Sequence, residues 1–413
     1  MHGGAFEQGL GNCALYNGST FAQNNVVSVV INYRLGVLGF MASKSMKGNY
    51  GFLDQRLAMQ WTKDNIAGFG GDSNRVTIAG QSAGAMSVGS HLISPGSKNL
   101  FQGSIMESNP LGLPYHTRES AGTNADNVFA YVGCSADDLA CMHTKTPEEL
   151  LEAQNNAIKL DFDTLLLNFL PFAPMVEKGG EIPEQPMVAL AAGEMQTMPV
   201  LSGSLLDEGQ LFVYELFTKP LSSGEYKAII EAVFGVRASR DILSYYPLSI
   251  VPGSTDGREA LNILATDLLF YCPLRNITRG YQATLGVKAV PTFVYRFNHV
   301  MSFDCWGPDY QFCVGWACHG SELPFVFNVF TDGVSVSYEP SAAEVQLTTD
   351  LVNAWSNFLT TGNPNQGLPV PVAYPEYITD SDMLVVLEEP GGEKQDHVRE
   401  SFCNLWDKLG YYY

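Results

Sequence analysis

Residues 80–84 read Gly80-Gln81-Ser82-Ala83-Gly84 and close the short apolar run Val76-Thr77-Ile78-Ala79. A small-residue stretch follows through Gly89. A strand that ends in G-x-S-x-G and turns at once into a helix is a nucleophile elbow. The turn leaves no room for side chains at its flanks, so glycines stand on either side and the serine sits in strained backbone. The helix behind it directs free N–H groups and a positive dipole end at the space above the serine. A near-match, Ala85-Met86-Ser87-Val88-Gly89, follows five residues on. It falls inside the expected helix, where Ser87 would lie along a packed face.

A second feature opens the chain: His2-Gly3-Gly4-Ala5-Phe6. Consecutive small residues let backbone N–H groups approach a carbonyl oxygen closely, as an oxyanion hole requires. Gly4 and Ala5 are the donors expected from this loop, with Ala83, the residue after Ser82, as the third. A serine of this kind needs a base and an acid, which follow it in the order acid, then histidine. Three histidines lie well downstream: His299, His319 and His397. His299 ends the strand-like residues 292–297, and His397 lies in a charged stretch. His319 lies in Cys318-His319-Gly320-Ser321-Glu322, a glycine-punctuated loop where an imidazole can face a cleft. For the acid, residues 198–204 read as a buried strand that Leu205-Leu206-Asp207-Glu208-Gly209 leaves at its C-terminal end. Either Asp207 or Glu208 could hold the imidazole, and either could instead cap the helix that follows.

These motifs resemble the type-B carboxylesterase and cholinesterase-like family of α/β-hydrolases. The matching pieces include Asn32-Tyr33-Arg34-Leu35-Gly36, Gly51-Phe52-Leu53-Asp54-Gln55-Arg56 and Phe69-Gly70-Gly71-Asp72, besides the oxyanion loop and the elbow. Asp207-Glu208-Gly209, His319-Gly320-Ser321-Glu322 and Gly362-Asn363-Pro364-Asn365 complete the set. The resemblance implies an α/β-hydrolase fold over residues 1–413 as one domain, with a mostly parallel sheet flanked by helices. It also implies Ser82 as nucleophile, His319 as base and Glu208 as acid, which settles the choice that spacing left open. Ester hydrolysis through an acyl-serine follows, with a small-molecule ester as partner and no metal or organic cofactor required.

Substrate preference is partly legible through the same resemblance. Cholinesterase-like relatives place a glutamate before the nucleophile and an aromatic two residues after the D-E-G glycine, facing a quaternary ammonium. Here Gln81 and Leu211 stand at those places, which points away from choline esters. Leu170 and Phe172, ahead of Ala173-Pro174, are candidate acyl-pocket residues, as are Gln81, Leu211 and Phe212. Broad hydrolysis of short to medium acyl esters is expected. A triacylglycerol lipase of the same fold and a non-catalytic adhesion relative are the alternatives; the intact serine, acid and histidine weigh against the latter.

Composition agrees with a large core: 413 residues, of which 46% are hydrophobic. Lysine and arginine number 23 against 43 aspartate and glutamate, a net charge of −20. That field repels nucleic acid and would attract cations, and a solvated acidic surface accounts for it. No run of eighteen apolar residues suggests a membrane span. Alternating strand and helix signals predict a mostly parallel sheet. Strands are expected at 26–32, 76–80, 103–108, 199–204 and 292–297. Helices are expected at 51–65, with Leu53, Leu57 and Trp61 on the buried stripe, and at 342–361, with Leu347, Leu351, Trp355 and Phe358.

Eight cysteines without a metal-type C-x-x-C pair point to disulfides and an oxidising compartment. Cys134 and Cys141 bracket an acidic turn and are expected to pair. Cys272 and Cys403 lie in segments that resemble a disulfide pair of the family. One further bond is expected among Cys305, Cys313 and Cys318, and Cys13 is expected to lack a partner. Sequons at Asn17 and Asn276 fit secretion. Family members carry a long segment ahead of H-G-G, including early strands, whereas this chain opens at Met1-His2 with no signal-peptide pattern. A fragment, or an incomplete gene model, of a longer secreted enzyme is therefore expected, with N-terminal strands missing. The chain as written is expected to be poorly stable or weakly active, with one strand edge unpaired.

Overall fold

Short apolar runs rich in branched residues form strands only where neighbours take up their backbone bonds. In the computed structural model, which describes residues 1–286, 288–331, 337–389 and 391–412, eight strands among the described residues form two sheets. They are β1 (Thr77–Gln81), β2 (Gly103–Glu107), β3 (His116–Thr117), β4 (Met175–Val176), β5 (Val200–Leu205), β6 (Thr292–Phe297), β7 (Leu384–Leu387) and β8 (Glu393–Gln395). The main sheet has the order β1-β2-β5-β6-β7-β8, parallel throughout except for the antiparallel edge strand β8. Strands β3 and β4 form a small parallel pair apart from it. Four of the five expected strands are present within a residue of their expected ends.

Burial on both faces explains why these strands read as nearly continuous apolar runs. Alternate residues feed two different cores. Met106, Val200, Val294, Leu384 and Val386 join one cluster. Their neighbours Ile105, Leu201, Phe293, Tyr295, Val385 and Leu387 join the other. The first core holds helices α1 (Tyr50–Asn65), α2 (Ala83–Ile93), α4 (Cys272–Leu285) and α6 (Glu400–Leu409), with α3 (Glu208–Leu216) at its rim. The second is closed by α5 (Ala342–Thr361), whose Leu347, Leu351, Trp355 and Phe358 are buried as expected. Ser341 and Glu344 cap α5 reciprocally, and Gly362 ends it in left-handed backbone. Every residue of α2 is buried, so the helix behind the elbow is a central strut.

Two expectations are corrected. Residues 26–32 join no ladder. Val26–Ile31 and β1 instead face each other across a cavity of about 290 Å³, and no backbone hydrogen bond among the described residues joins them. An apolar run becomes a strand only where a partner lies at hydrogen-bonding distance. In α1 the Leu53-Leu57-Trp61 stripe faces outward, with Leu57 70% and Trp61 48% exposed. The buried face carries Phe52, Gln55, Met59 and Thr62. Its polar members are satisfied internally: Gln55 donates to Ser87 Oγ, and Thr62 donates to the Ala58 carbonyl. Phe52 stacks on His91 of α2.

Disulfides join Cys134 to Cys141 and Cys272 to Cys403, as expected, and Cys313 pairs with Cys318. Cys13 and Cys305 are free thiols. The Cys272–Cys403 bond staples the start of α4 to α6 across 131 residues of sequence. One turn along α4, Arg275 makes a buried 2.6 Å ion pair with Asp382. Loop closure favours the long staple. Replacing both Cys272 and Cys403 by alanine is expected to cost about 5 kcal/mol, against about 2.5 kcal/mol for Cys134 and Cys141. Urea unfolding of the two double variants measures this, and equal losses would contradict the assignment of the long staple as the stronger constraint.

Candidate active site

The elbow is built by close approach. Ser82 has φ +58° and ψ −124°, a backbone that side chains disfavour. A β-carbon at Gly80 would lie 2.3 Å from the Gly84 backbone, and one at Gly84 would lie 2.2 Å from the Met1 carbonyl oxygen. Only glycine fits either place. The strain is held by the sheet: Ser82 N donates to the Glu107 carbonyl, extending the β1–β2 ladder one residue past its end. Ser87 does lie inside α2, buried, donating to the Ala83 carbonyl.

The His2–Phe6 loop runs against this turn. Tyr33 Oη donates to the His2 carbonyl and its ring stacks on His2, Gly36 N donates to the Phe6 carbonyl, and the Met1 ammonium donates to the Ala79 carbonyl of β1. Gly4, Ala5 and Phe6 all take positive φ, which turns the loop back on itself. No backbone hydrogen bond among the described residues takes the N–H of Gly4, Ala5 or Ala83. Three donors are therefore left unengaged beside the serine's turn.

At the C-terminal end of β5 the two adjacent acids divide their work. Glu208, fully buried at the start of α3, accepts from Leu205 N through Oε1 and binds His319 Nδ1 through Oε2 at 2.5 Å. Asp207 turns the other way, accepting from Ala317 N at 3.2 Å and Asn262 Nδ2 at 3.3 Å. Burial raises the Asp207 carboxyl above the ordinary range, opposed by those two donors. Asp207 thus clamps the segment leading into the histidine loop, and the Cys313–Cys318 bond ties that loop to itself.

The carboxylate at Nδ1 fixes the Nδ1–H tautomer of His319, leaving Nε2 as an acceptor. The Gln81 amide nitrogen lies 3.2 Å from it. No hydrogen bond among the described residues runs from Ser82 Oγ to the ring; such bonds commonly tighten only when substrate is bound. Phe212 and Phe270 cover the imidazole at ring distances of 4.9 and 5.2 Å, and Phe169 packs on Phe212. Leu170 and Phe172 are buried in the same core, and Leu211 is half-buried. The other two histidines are elsewhere: His299 binds Glu344 at 3.0 Å, and His397 is exposed beside Glu400.

Two acids form the floor of the site without a role in the sequence reading. Glu322, three residues past His319, is fully buried, and burial followed by the charges of Glu107 and Glu208 raises its carboxyl well above the ordinary range. Glu107 accepts from Trp355 Nε1 at 2.6 Å and is pushed by burial up to about 7. Glu322 was visible in His319-Gly320-Ser321-Glu322, but nothing in one sequence signals its burial. Phe270 and Phe169 carried no signal at all, since Phe270 reaches the imidazole, and Phe169 reaches Phe212, from distant segments.

Comparison with known proteins agrees with this architecture. The chain matches the carboxylesterase family over residues 1–406. It is 36% identical to the Crystal protein of Dictyostelium discoideum over 99% of this chain and 73% of that protein. It is 32% identical to the para-nitrobenzyl esterase of Bacillus subtilis, over 99% of this chain and 79% of the esterase. A solved structure titled PNB esterase superposes with a TM-score of 0.79 at 30% identity, covering 98% of this chain and 80% of that one. With its parallel sheet, its flanking helices and this match over nearly its whole length, the chain belongs to the carboxylesterase family, carboxylic ester hydrolases of the α/β-hydrolase fold.

Proposed function

We propose that the protein cleaves neutral carboxylic esters through an acyl-serine on Ser82, with His319 as general base and Glu208 as the acid that orients it. The observation that carries this reading is the buried 2.5 Å contact between Glu208 and His319, with the ring's other nitrogen bonded to the residue before Ser82. Ser82 Oγ is a weak nucleophile until Nε2 takes its proton during attack on the ester carbonyl. The carbonyl oxygen becomes an oxyanion, received by the N–H groups of Gly4, Ala5 and Ala83 and by the dipole of α2. The imidazolium, stabilised by Glu208, returns the proton to the departing alcohol. Water then repeats the cycle on the acyl-serine and releases the carboxylate.

The pocket chemistry favours an uncharged leaving group. Gln81 supplies no anion next to the serine, and Leu211 supplies no ring for a quaternary ammonium. Phe212, Phe270 and Phe169 form an apolar wall suited to short and medium acyl chains. Three disulfides support an oxidising, secretory destination, and Asn17 lies exposed in a turn where its side chain accepts from Ser19. Asn276 is less open to glycosylation: it sits on α4, and its amide donates to Asp407.

A fluorescent organophosphonate is expected to label the protein on Ser82, with labelling abolished in Ser82→Ala and retained in Ser87→Ala. Intact-mass analysis checks this, and undiminished labelling of Ser82→Ala would remove the assignment. Glu208→Gln should lower kcat by about 10³–10⁴-fold with KM changed little, because the imidazole loses its tautomer and its counter-charge. Steady-state kinetics on a p-nitrophenyl ester reads the split. Between a choline ester and a neutral ester of equal acyl length, kcat/KM should favour the neutral one; the reverse order would overturn the pocket reading.

A further inference from the structure

Gln81 lies between two of the loops that meet at the elbow. It ends β1 immediately before Ser82, is buried, and its main chain is in register with Glu107. A β-carbon on Gly3 would lie 2.7 Å from Gln81 Oε1, 2.9 Å from its carbonyl oxygen and 3.0 Å from Ser82 Cβ. One on Gly320 would lie 3.7 Å from Gln81 Nε2. The side chain is thus wedged between the oxyanion loop and the loop of the base, and among the described residues its hydrogen bond goes to His319 Nε2 at 3.2 Å. A side chain that merely lined the pocket would have no reason to engage the nitrogen that must accept the serine proton.

We propose that Gln81 is a positioning residue for the base: its amide donates to Nε2 of His319 and presents that nitrogen, unprotonated, beside Ser82 between turnovers, until a seated substrate draws the serine hydroxyl into its place. This rests on His319 being the base. The direction of donation follows from the pair on the other side of the ring. Glu208 accepts a hydrogen bond from Nδ1–H, so Nε2 carries a lone pair and its partner must be a donor. An amide meets that need, whereas an ionised carboxylate at the same place would favour the protonated ring.

The groups facing the imidazole make the effect readable. Glu208 and Glu215 reach it from α3, with Glu215 raised by burial and lowered by His319. Asp207 lies beside Glu208. Glu322 approaches from the loop of the base itself, and Glu107 lies beneath with the Met1 ammonium, which burial lowers to about 6. Phe212 and Phe270 close the remaining sides. Burial holds Glu322 and Glu107 toward their neutral forms, so Glu208 is the anion bonded to the ring, and a carboxylate at position 81 would add a second one at the opposite nitrogen.

The test uses histidine-selective ¹⁵N labelling, with the His319 signals identified by their loss in His319→Gln. The imidazole is titrated by NMR in the wild type, Gln81→Glu and Gln81→Met, beside pH profiles of kcat/KM. In Gln81→Glu the pH at which the ring takes up its proton should rise by about one unit, tenfold in proton affinity, and the acidic limb of kcat/KM should rise with it. Gln81→Met, of similar volume and without a donor, should shift the ring by a smaller amount in the same direction. It should also lower kcat about tenfold with KM within about threefold. An unchanged ring titration in both variants, or a rise in KM alone, would overturn the proposal and leave Gln81 as pocket wall. Because the titration is read without turnover, it is separable from the wild type's reaction with an organophosphonate, on which the hydrolase reading depends.

Discussion

The strained backbone at Ser82 is the constraint on which the rest of the site depends. A positive φ at a serine is unfavourable by about 1–3 kcal/mol and persists only where the surroundings over-determine it. Here they do so three times over. The β1–β2 ladder runs through Ser82 N, α2 begins at the next residue with all eleven of its residues buried, and the Met1–His2 backbone lies where any side chain at Gly84 would be. The serine is thereby lifted off the sheet, in reach of groups that arrive from other strands.

Those groups arrive by one geometric rule. In a parallel sheet the C-terminal ends of all strands lie along the same edge, so residues far apart in sequence gather there. β1 delivers Gln81 and Ser82, β2 delivers Glu107, and β5 delivers Asp207 and Glu208. The histidine comes from a loop that Asp207 pins to the end of β5. Several carboxyls share this small volume in a chain of net charge −20. Burial lets them coexist by holding Glu107 and Glu322 toward the neutral form, while Glu208 is matched by an imidazole proton. The interior is acidic in composition without being strongly anionic.

Much of this was legible in the residues, and the failures have physical causes. Runs buried on both faces announced β2, β5 and β6 because a parallel sheet needs apolar side chains on alternate faces, and Phe293, Val294 and Tyr295 supply both cores. Residues 26–32 have the same composition, yet pairing is a property of neighbours and not of a segment. In α1 the reading took the conspicuous Leu57 and Trp61 for the inner face, while Gln55 and Thr62 concealed the true one. Those polar side chains tolerate burial because Ser87 and the Ala58 carbonyl satisfy them. Spacing could not separate Asp207 from Glu208, since successive residues at the end of a strand point in opposite directions. The resemblance to a family distinguished them, and the hydrogen bonds give each a separate task.

The central claim is that one nitrogen of His319, braced by Glu208, serves the hydroxyl of Ser82 within an oxyanion site made by three backbone amides. A crystal structure of the protein after reaction with an alkyl phosphonate tests it most directly. Continuous density should join phosphorus to Ser82 Oγ, with the phosphoryl oxygen about 2.7–3.1 Å from the N–H groups of Gly4, Ala5 and Ala83. The imidazole should keep its bond to Glu208 and face the phosphonate with Nε2. An adduct on another residue, or a phosphoryl oxygen turned away from those three amides, would contradict the account.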